Sequence, residues 1–419
     1  MARELKGPTM NSEILLVTIC MVLTASTVAH CGMVDLRPDE KGDRSAVHQN
    51  GKVSYLPAKR VDLHEPGAGG GICRYIRRAK NGDLYIMGTG LSGVLRSTDG
   101  GHSWTSAPFK IEKMEFLSAF AILRDDTFLI AFMPGGLKDM GIAQSKDYGR
   151  TWQTGMAGLE LSPQKHVTGY NGDLLELKDG TLLLTVEMRA GMDVFHDASG
   201  KELPMELKGF FTYVVRSRDG GKTWGEKSML ARYSGEAHLL ELPSGKLMAC
   251  YRKQRNHRIP GDPPTGMELK LKHGYQPQFY SEEKKGENRE RTNRIKNMFV
   301  SESSDDGVTW VNERQASGFL QCSGDLTLLT DGTLVLAFDH RYPDDIANDG
   351  MRALVSYDLG KTWEKESYII SQGTSVMDTA VSYPSSIATE DGGLITVCAN
   401  HVGGKSARLE AVHWRPLAK

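Results

Sequence analysis

Arginines stand at matching places in an internally repeated chain. Arg74, Arg189, Arg252, Arg341 and Arg352 fall where strands begin or end on one side of successive repeats, in company with Asp173, Glu236 and Tyr383. A lone arginine there is by default a surface residue with its stem on the sheet. Several repeats each contributing one at corresponding depth predict a convergent guanidinium cluster, and such planar forks take carboxylate, sulfate or phosphate bidentately. The expected ligand is anionic.

Bulk charge does not supply that preference. The 419 residues include 51 Lys+Arg against 52 Asp+Glu, a formal net charge of −1. This balance excludes the footprint of a nucleic-acid binder or of a protein drawn to anionic membrane, so anion recognition has to be local. With 39% hydrophobic residues and 46 glycines the chain can bury a sizeable core. Beyond an N-terminal leader, Cys31, Cys73, Cys250, Cys322 and Cys398 are odd in number and lack any CxxC pair. That is a poor disulfide framework and a poor zinc site, and the last four read as small buried apolar residues. Neither metal nor cofactor is expected.

The elements that position the arginines come from repeats. An eight-residue pattern, S-x-D-x-G-x-[ST]-W, occurs at 97–104, 145–152, 217–224, 303–310 and 356–363. Each copy has hairpin-turn chemistry: Asp99, Asp147, Asp219, Asp305 and Asp358 accept turn amides, glycine supplies a positive φ, and tryptophan covers the next inter-strand gap. A feature present in every unit is structural, so Trp104, Trp152, Trp224, Trp310 and Trp363 are expected far from any ligand. A second repeat, a turn followed by an apolar strand, starts at Asn81, Asp125, Asp179, Ser244, Asp331 and Asp391. Further alternating stretches precede each turn, as in GEAHLLEL at 235–242 and SGDLTLL at 323–329. Four short strands per unit in a meander, repeated six times, predict an all-β, six-bladed β-propeller. The sixth unit carries ARLEAVHW at 407–414 where a further S-x-D turn belongs. Its fourth strand is therefore expected from the N-terminus, in GKVSYLPAKRV at 51–61, closing the ring and leaving no open sheet.

A meander also sorts loops by face. The S-x-D turns and the DG turns fall on one side, and the loops joining second and third strands fall on the other. Those loops vary from GTGLSG at 88–93, through 189–209, to a long charged insertion at 253–296. Variable loops on one face of a regular scaffold mark the expected binding face, where the arginines also lie.

On these motifs the chain resembles the sialidase superfamily, whose propeller carries such Asp boxes, over essentially everything after Gly51. The resemblance implies that Arg74 in CRYIRR, Arg252 in ACYRKQ and Arg352 in MRALVS hold a substrate carboxylate, with Arg341 an alternative to Arg352. Glu236 in GEAHLLEL would activate the nucleophile, and Tyr383 in VSYPSS would be that nucleophile. The chemistry is coherent. A phenol escapes the repulsion that a carboxylate nucleophile meets beside an anomeric carboxylate, but it titrates near pH ~10 and needs a base to take its proton. Tyr383 and Glu236 each open an innermost strand, so they are expected within hydrogen-bond reach across the axis.

The family's acid/base aspartate sits in the first blade's loop, and here that loop is GTGLSG, with no carboxylate. Asp139 and Asp193 are the foremost substitutes, with His196, Asp62, His64 and Glu65 also near the same face. The apolar run at 14–29 after Arg3 and Lys6 reads as a secretory signal, shorter than a membrane span. The expected organisation is a signal peptide at 1–29, a linker at 30–50 and the propeller at 51–419, in a secreted or periplasmic monomer without stable membrane insertion. The expected activity is exo-hydrolysis of a terminal acidic sugar from an acidic glycan. Two alternatives stand beside it: a lyase or hydrolase of uronic-acid glycans using Tyr383, His238 or His340 as acid/base, and a binding propeller that has lost its acid.

Overall fold

The computed structural model describes residues 39–50, 52–63, 74–91, 93–135, 139–159, 172–189, 210–255, 295–318, 321–340, 350–372, 383–400 and 408–418. The signal reading at 1–29 lies outside them. Among the described residues every regular element is a β-strand. The chain enters through β1 (Arg44–Gln49), β2 (Lys52–Pro57) and β3 (Lys59–Asp62). It then builds blade one from β4 (Arg74–Arg78), β5 (Leu84–Gly88), β6 (Gly93–Ser97) and β7 (Thr105–Pro108). Blade two is β8 (Met114–Ile122), β9 (Phe128–Pro134), β10 (Gly141–Ser145) and β11 (Gln153–Met156). Blade three is β12 (Leu174–Glu176), β13 (Leu182–Arg189), β14 (Phe210–Ser217) and β15 (Gly225–Arg232). Blade four is β16 (Ser234–Glu241), β17 (Leu247–Arg255), β18 (Ile295–Ser303) and β19 (Val311–Gln315). Blade five starts with β20 (Gln321–Leu328), β21 (Leu334–His340), β22 (Gly350–Ser356) and β23 (Ser367–Gln372), and blade six with β24 (Ser385–Ala388), β25 (Leu394–Asn400) and β26 (Arg408–Trp414).

The N-terminal strands go to two different blades. β3 completes blade six, pairing Val61 with Ala411 and Lys59 with His413. The residues just before it do not follow: β1 pairs β23 and β2 pairs β1, which extends blade five to six strands. The expectation that 51–61 forms a single closing strand is thus corrected to Lys59–Asp62, and part of the expected linker, Arg44–Gln49, is sheet. The cause is apolar. Ala46 and Val47 of β1 are buried against Ile369 and Tyr368, a partner surface that a loose linker would leave wet.

Apolar side chains divide among the six junctions between neighbouring blades, for example Tyr85, Phe120 and Phe128 between blades one and two. The S-x-D turns seal these junctions from below. In the first, Asp99 accepts the amides of His102 at 3.0 Å and Ser103 at 2.9 Å, and Trp104 Nε1 donates to Gly101 O at 3.0 Å. The threonine amide bond recurs at Asp147, Asp219, Asp305 and Asp358, and the tryptophan bond at Trp152, Trp224 and Trp310. Glycine is required: Gly101 has φ 91°, and a Cβ there would lie 2.9 Å from Ile395 of blade six. Blade six has no such turn, and its junction with blade five is closed differently. Arg60 of β3 donates to the carbonyls of Arg44 at 3.0 Å and Ile370 at 2.6 Å, while Trp414 packs on Tyr368 with ring centroids 5.7 Å apart.

Candidate functional site

Around the axis, the innermost strands of blades three to six and one carry equivalent residues: Asp173, His238, Asp325, Ser385 and Tyr75. Each of the first four accepts the amide that follows its counterpart in the next blade. Leu239 N donates to Asp173 Oδ2 at 2.9 Å, Leu326 N to His238 Nδ1 at 3.2 Å, Ser386 N to Asp325 Oδ2 at 2.6 Å, and Ile76 N to Ser385 Oγ at 3.2 Å. Tyr75 extends the girdle by donating to the carbonyls of Ser118 and Gly172. Buried amides need partners, and these side chains supply them across blade boundaries. Arg77 ion-pairs with Asp173 at 2.8 Å. Burial pushes the Asp325 carboxyl above its ordinary range, although His238 and Arg77 pull it down.

Two residues before the girdle members of blades four, five and six lie residues that line the mouth. These are Glu236, Ser323 and Tyr383, and all three line one pocket with His238, Asp325 and Ser385 at its base. Tyr383 donates its phenol to Glu236 Oε1 at 3.2 Å. Arg252 Nε at 2.8 Å and Ser323 Oγ at 3.1 Å donate to the other oxygen, Oε2. Glu236 and Ser323 reach inward because β16 and β20 both bulge, between Gly235 and His238 and between Cys322 and Asp325. The extra residue in each puts Glu236 at φ 56° and Ser323 at φ 54°, a left-handed conformation that non-glycine residues rarely adopt.

Glu236 and Arg252 form a buried ion pair. Burial disfavours the Arg252 guanidinium, yet Glu236 first and Glu187 second outweigh it and raise its pKa above the ordinary arginine value. Glu187 of β13 is itself buried, with its carboxylate against Gly235, where a Cβ would stand only 2.6 Å away. A carboxylate accepting three bonds, one of them from a cation, is a base whose lone pairs are already aimed.

The structure thus brings together Tyr383, Glu236 and Arg252. Arg352 is buried in β22 opposite Phe338 of β21. Its charge adds to burial in holding His340 down to about 3, which leaves that imidazole neutral at ordinary pH. Arg74 begins β4, but its side chain lies outside the described residues, as do the side chain of Arg189 and the whole of Asp193, His196, Arg341, His64 and Glu65. Asp139 has a different role from the acid/base expected of it. Its carboxylate accepts the amides of Met140 at 2.8 Å, Gly158 at 2.9 Å and Leu159 at 2.9 Å, so it closes a turn of blade two. His238 is likewise committed, since Nδ1 accepts Leu326 N–H and Nε2 faces Asp325 Oδ1 at 3.0 Å and Asp173 Oδ2 at 3.4 Å.

Ser323, Glu187 and Asp325 went unnoticed in the sequence. The signal for Ser323 was available: aligning EAHLL, SGDLT and YPSSI as first strands puts Ser323 level with Glu236 and Tyr383. Glu187 carries no such mark. Among the described residues no group of three or more His, Cys, Asp or Glu side chains is placed to hold a metal ion.

No protein-family model matches the chain, and no curated protein matches it in sequence. Solved structures share its fold. A protein of unknown function from Dyadobacter fermentans superposes with TM-score 0.57 at 17% identity, covering 86% of this chain and 100% of that one. An alpha-L-arabinofuranosidase from Fusarium graminearum, solved with an iminosugar inhibitor, gives TM-score 0.55 at 14% identity over 84% of this chain and 96% of that one. The Trypanosoma rangeli sialidase, solved with the inhibitor DANA, gives TM-score 0.50 at 13% identity over 85% of this chain and 59% of its own. The similarity establishes a propeller fold held in common with glycosidases.

Proposed function

We propose that this propeller is an exported glycosidase that removes a terminal acidic sugar, sialic acid or a related ulosonic or uronic acid, from glycans. The observation that carries the reading is the Tyr383–Glu236 contact of 3.2 Å at the floor of the mouth. In the first step the Tyr383 oxygen bonds to the anomeric carbon, the bond from that carbon to the leaving oxygen breaks, and the phenol proton passes to Glu236 Oε1. Water then displaces the tyrosyl oxygen, giving its own proton to the group that had protonated the leaving oxygen, while the tyrosyl oxygen recovers a proton from Glu236. Arg252, engaged to Glu236 through Nε, is assigned to an anion site for the substrate carboxylate. Arg352 and Arg74 complete that anion site. The leaving oxygen needs a proton from a second acid. With Asp139 spent on backbone amides, Asp193 in the loop after β13 is the residue assigned to it. The double commitment of His238 and the depressed basicity of His340 weigh against a lyase run by either histidine.

The test is hydrolysis of 4-methylumbelliferyl glycosides of sialic acid, other ulosonic acids and uronic acids, with unsaturated products followed by ultraviolet absorbance. Release from an acidic glycoside, lost in Tyr383→Phe while binding of the free sugar persists, is the expected result. Wild-type turnover by the Phe variant would refute the covalent mechanism, and an unsaturated product would replace hydrolysis by elimination.

A further inference from the structure

The mouth-facing residues rest on an unusual backbone. Gly235 pairs with Arg252 and His238 with Cys250, so β16 carries one residue more than β17 over the same span, and β20 repeats this between Cys322 and Asp325. An inserted residue in a strand is held only by what surrounds it. If the ladder resumed its regular register, alternation would turn the Glu236 side chain to the opposite face of the blade. A non-glycine residue at positive φ costs free energy of its own and persists only when its neighbours over-determine it.

Those neighbours are visible one step along each strand. The two bulges lie side by side and are joined by two rungs. The upper rung is Ser323 Oγ on Glu236 Oε2 at 3.1 Å, and the lower is His238 Nε2 on Asp325 Oδ1 at 3.0 Å. His238 is gripped at both ends of its ring, by the Leu326 amide on Nδ1 at 3.2 Å and by Asp325 and Asp173 on Nε2. Asp173 also takes the amide of Leu239, the residue after His238, at 2.9 Å. Both the side chain and the backbone that follow Glu236 are therefore fixed from blades three and five.

We infer that the rung from His238 to Asp325, backed by Asp173, is a positioning device that holds the Glu236 bulge open and so keeps Glu236 against Tyr383. This rests on the proposed reading of the Tyr383–Glu236 pair. His238 and Asp325 line the same pocket, and their side-chain bonds go to the girdle. They act through Glu236, on the geometry on which proton transfer depends.

Two variants test it. His238→Phe keeps an aromatic ring but loses both grips, and Asp325→Asn sets an amide group against either the His238 Nε2–H or the Ser386 N–H. In each, kcat on the glycoside that the wild type hydrolyses should fall about a hundredfold with KM unchanged, the scale expected for a reacting group displaced by roughly 1 Å. Crystal structures of the variants should show the Tyr383–Glu236 contact broken. Asp147→Ala, in a turn of blade two on the opposite face, serves as the control: it should lower the melting temperature and leave kcat alone. If His238→Phe keeps both its turnover and the contact, the inference is wrong; should that variant not fold, Asp325→Asn decides by the same two readouts. Were the wild type to hydrolyse none of the glycosides, the proposed activity would fall, and the crystallographic contact would still judge the positioning role.

Discussion

At the scale of single residues, the site depends on three donors to one carboxylate. Ser323 is the least conspicuous and the most exposed to test. Hydrogen bonds to charged groups contribute about 1.5–3 kcal/mol, so Ser323→Ala should lower kcat about tenfold or more, at roughly 1.4 kcal/mol per tenfold, with little change in melting temperature. Arg252→Lys keeps the charge but not the planar fork, and inhibition by free acidic sugar should weaken when titrated calorimetrically. Asp139→Ala should do the reverse of both, lowering stability through three orphaned amides while turnover per folded molecule holds. Glu236, Tyr383 and Arg252 were legible because each sits at a strand boundary that repeats make countable. Glu187 was not, since a buried carboxylate inside TVEMRA looks like any polar position of a strand until the neighbouring blade is in place. The bonds of Asp139 were illegible for a related reason: a carboxylate in a loop says nothing about which amides it meets.

At the scale of elements, the S-x-D turns were readable almost to the bond. The spacing of Ser, Asp, Gly and Thr specifies a local hydrogen-bond cage that needs no tertiary information. The cage has an acid-stability signature. Hydroxyl and amide donors from Thr151 and Thr309 hold Asp147 and Asp305 down to about 2, below the ordinary carboxylate value of about 3.9. As pH falls, the unfolded chain takes up the proton first, so the turns' contribution is complete above about pH 4 and is lost toward pH 2. The melting temperature should decline over that window, and less steeply in Asp147→Asn, which has no carboxyl to titrate. Packing of the turn tryptophans differs among blades. Trp224 is buried between blades two and three, and Trp224→Ala should cost about 3–5 kcal/mol in denaturant unfolding, while the half-buried Trp104 should cost less. The bulges of β16 and β20 were invisible in the sequence, because an extra residue in an apolar, alternating stretch is defined only by the partner strand.

At the scale of the whole molecule, closure was legible in outline, since a missing fourth strand had to come from somewhere; the split of the N-terminal segment between two blades was not. At the seam between blades six and one, His413 of β26 stacks on His102 at 4.7 Å, and Lys59 of β3 lies 3.1 Å from His102 Nδ1. Burial holds His413 below its usual value, with the Gly101 carbonyl pulling the other way. A depressed histidine favours the fold while neutral, so that contribution is whole above about pH 6.5 and shrinks as pH drops below it. The melting temperature should fall between pH 7 and 5, and His413→Gln should flatten that slope.

The strand that closes blade six also sets a schedule. Arg60 of β3 and its partner Glu410 are 350 positions apart. At about 5–20 residues per second, a chain emerging from the ribosome would wait about 20–70 s between making one and making the other. β1 finds its partner only when β23 is made and β3 only when β26 is, and until then blade six lacks its outer strand. The protein's youngest form is thus an open arc with loose strands at its start, the state in which wrong pairings form most readily. The late pairing of β3 with β26 therefore completes the candidate site's blade and the ring in one event.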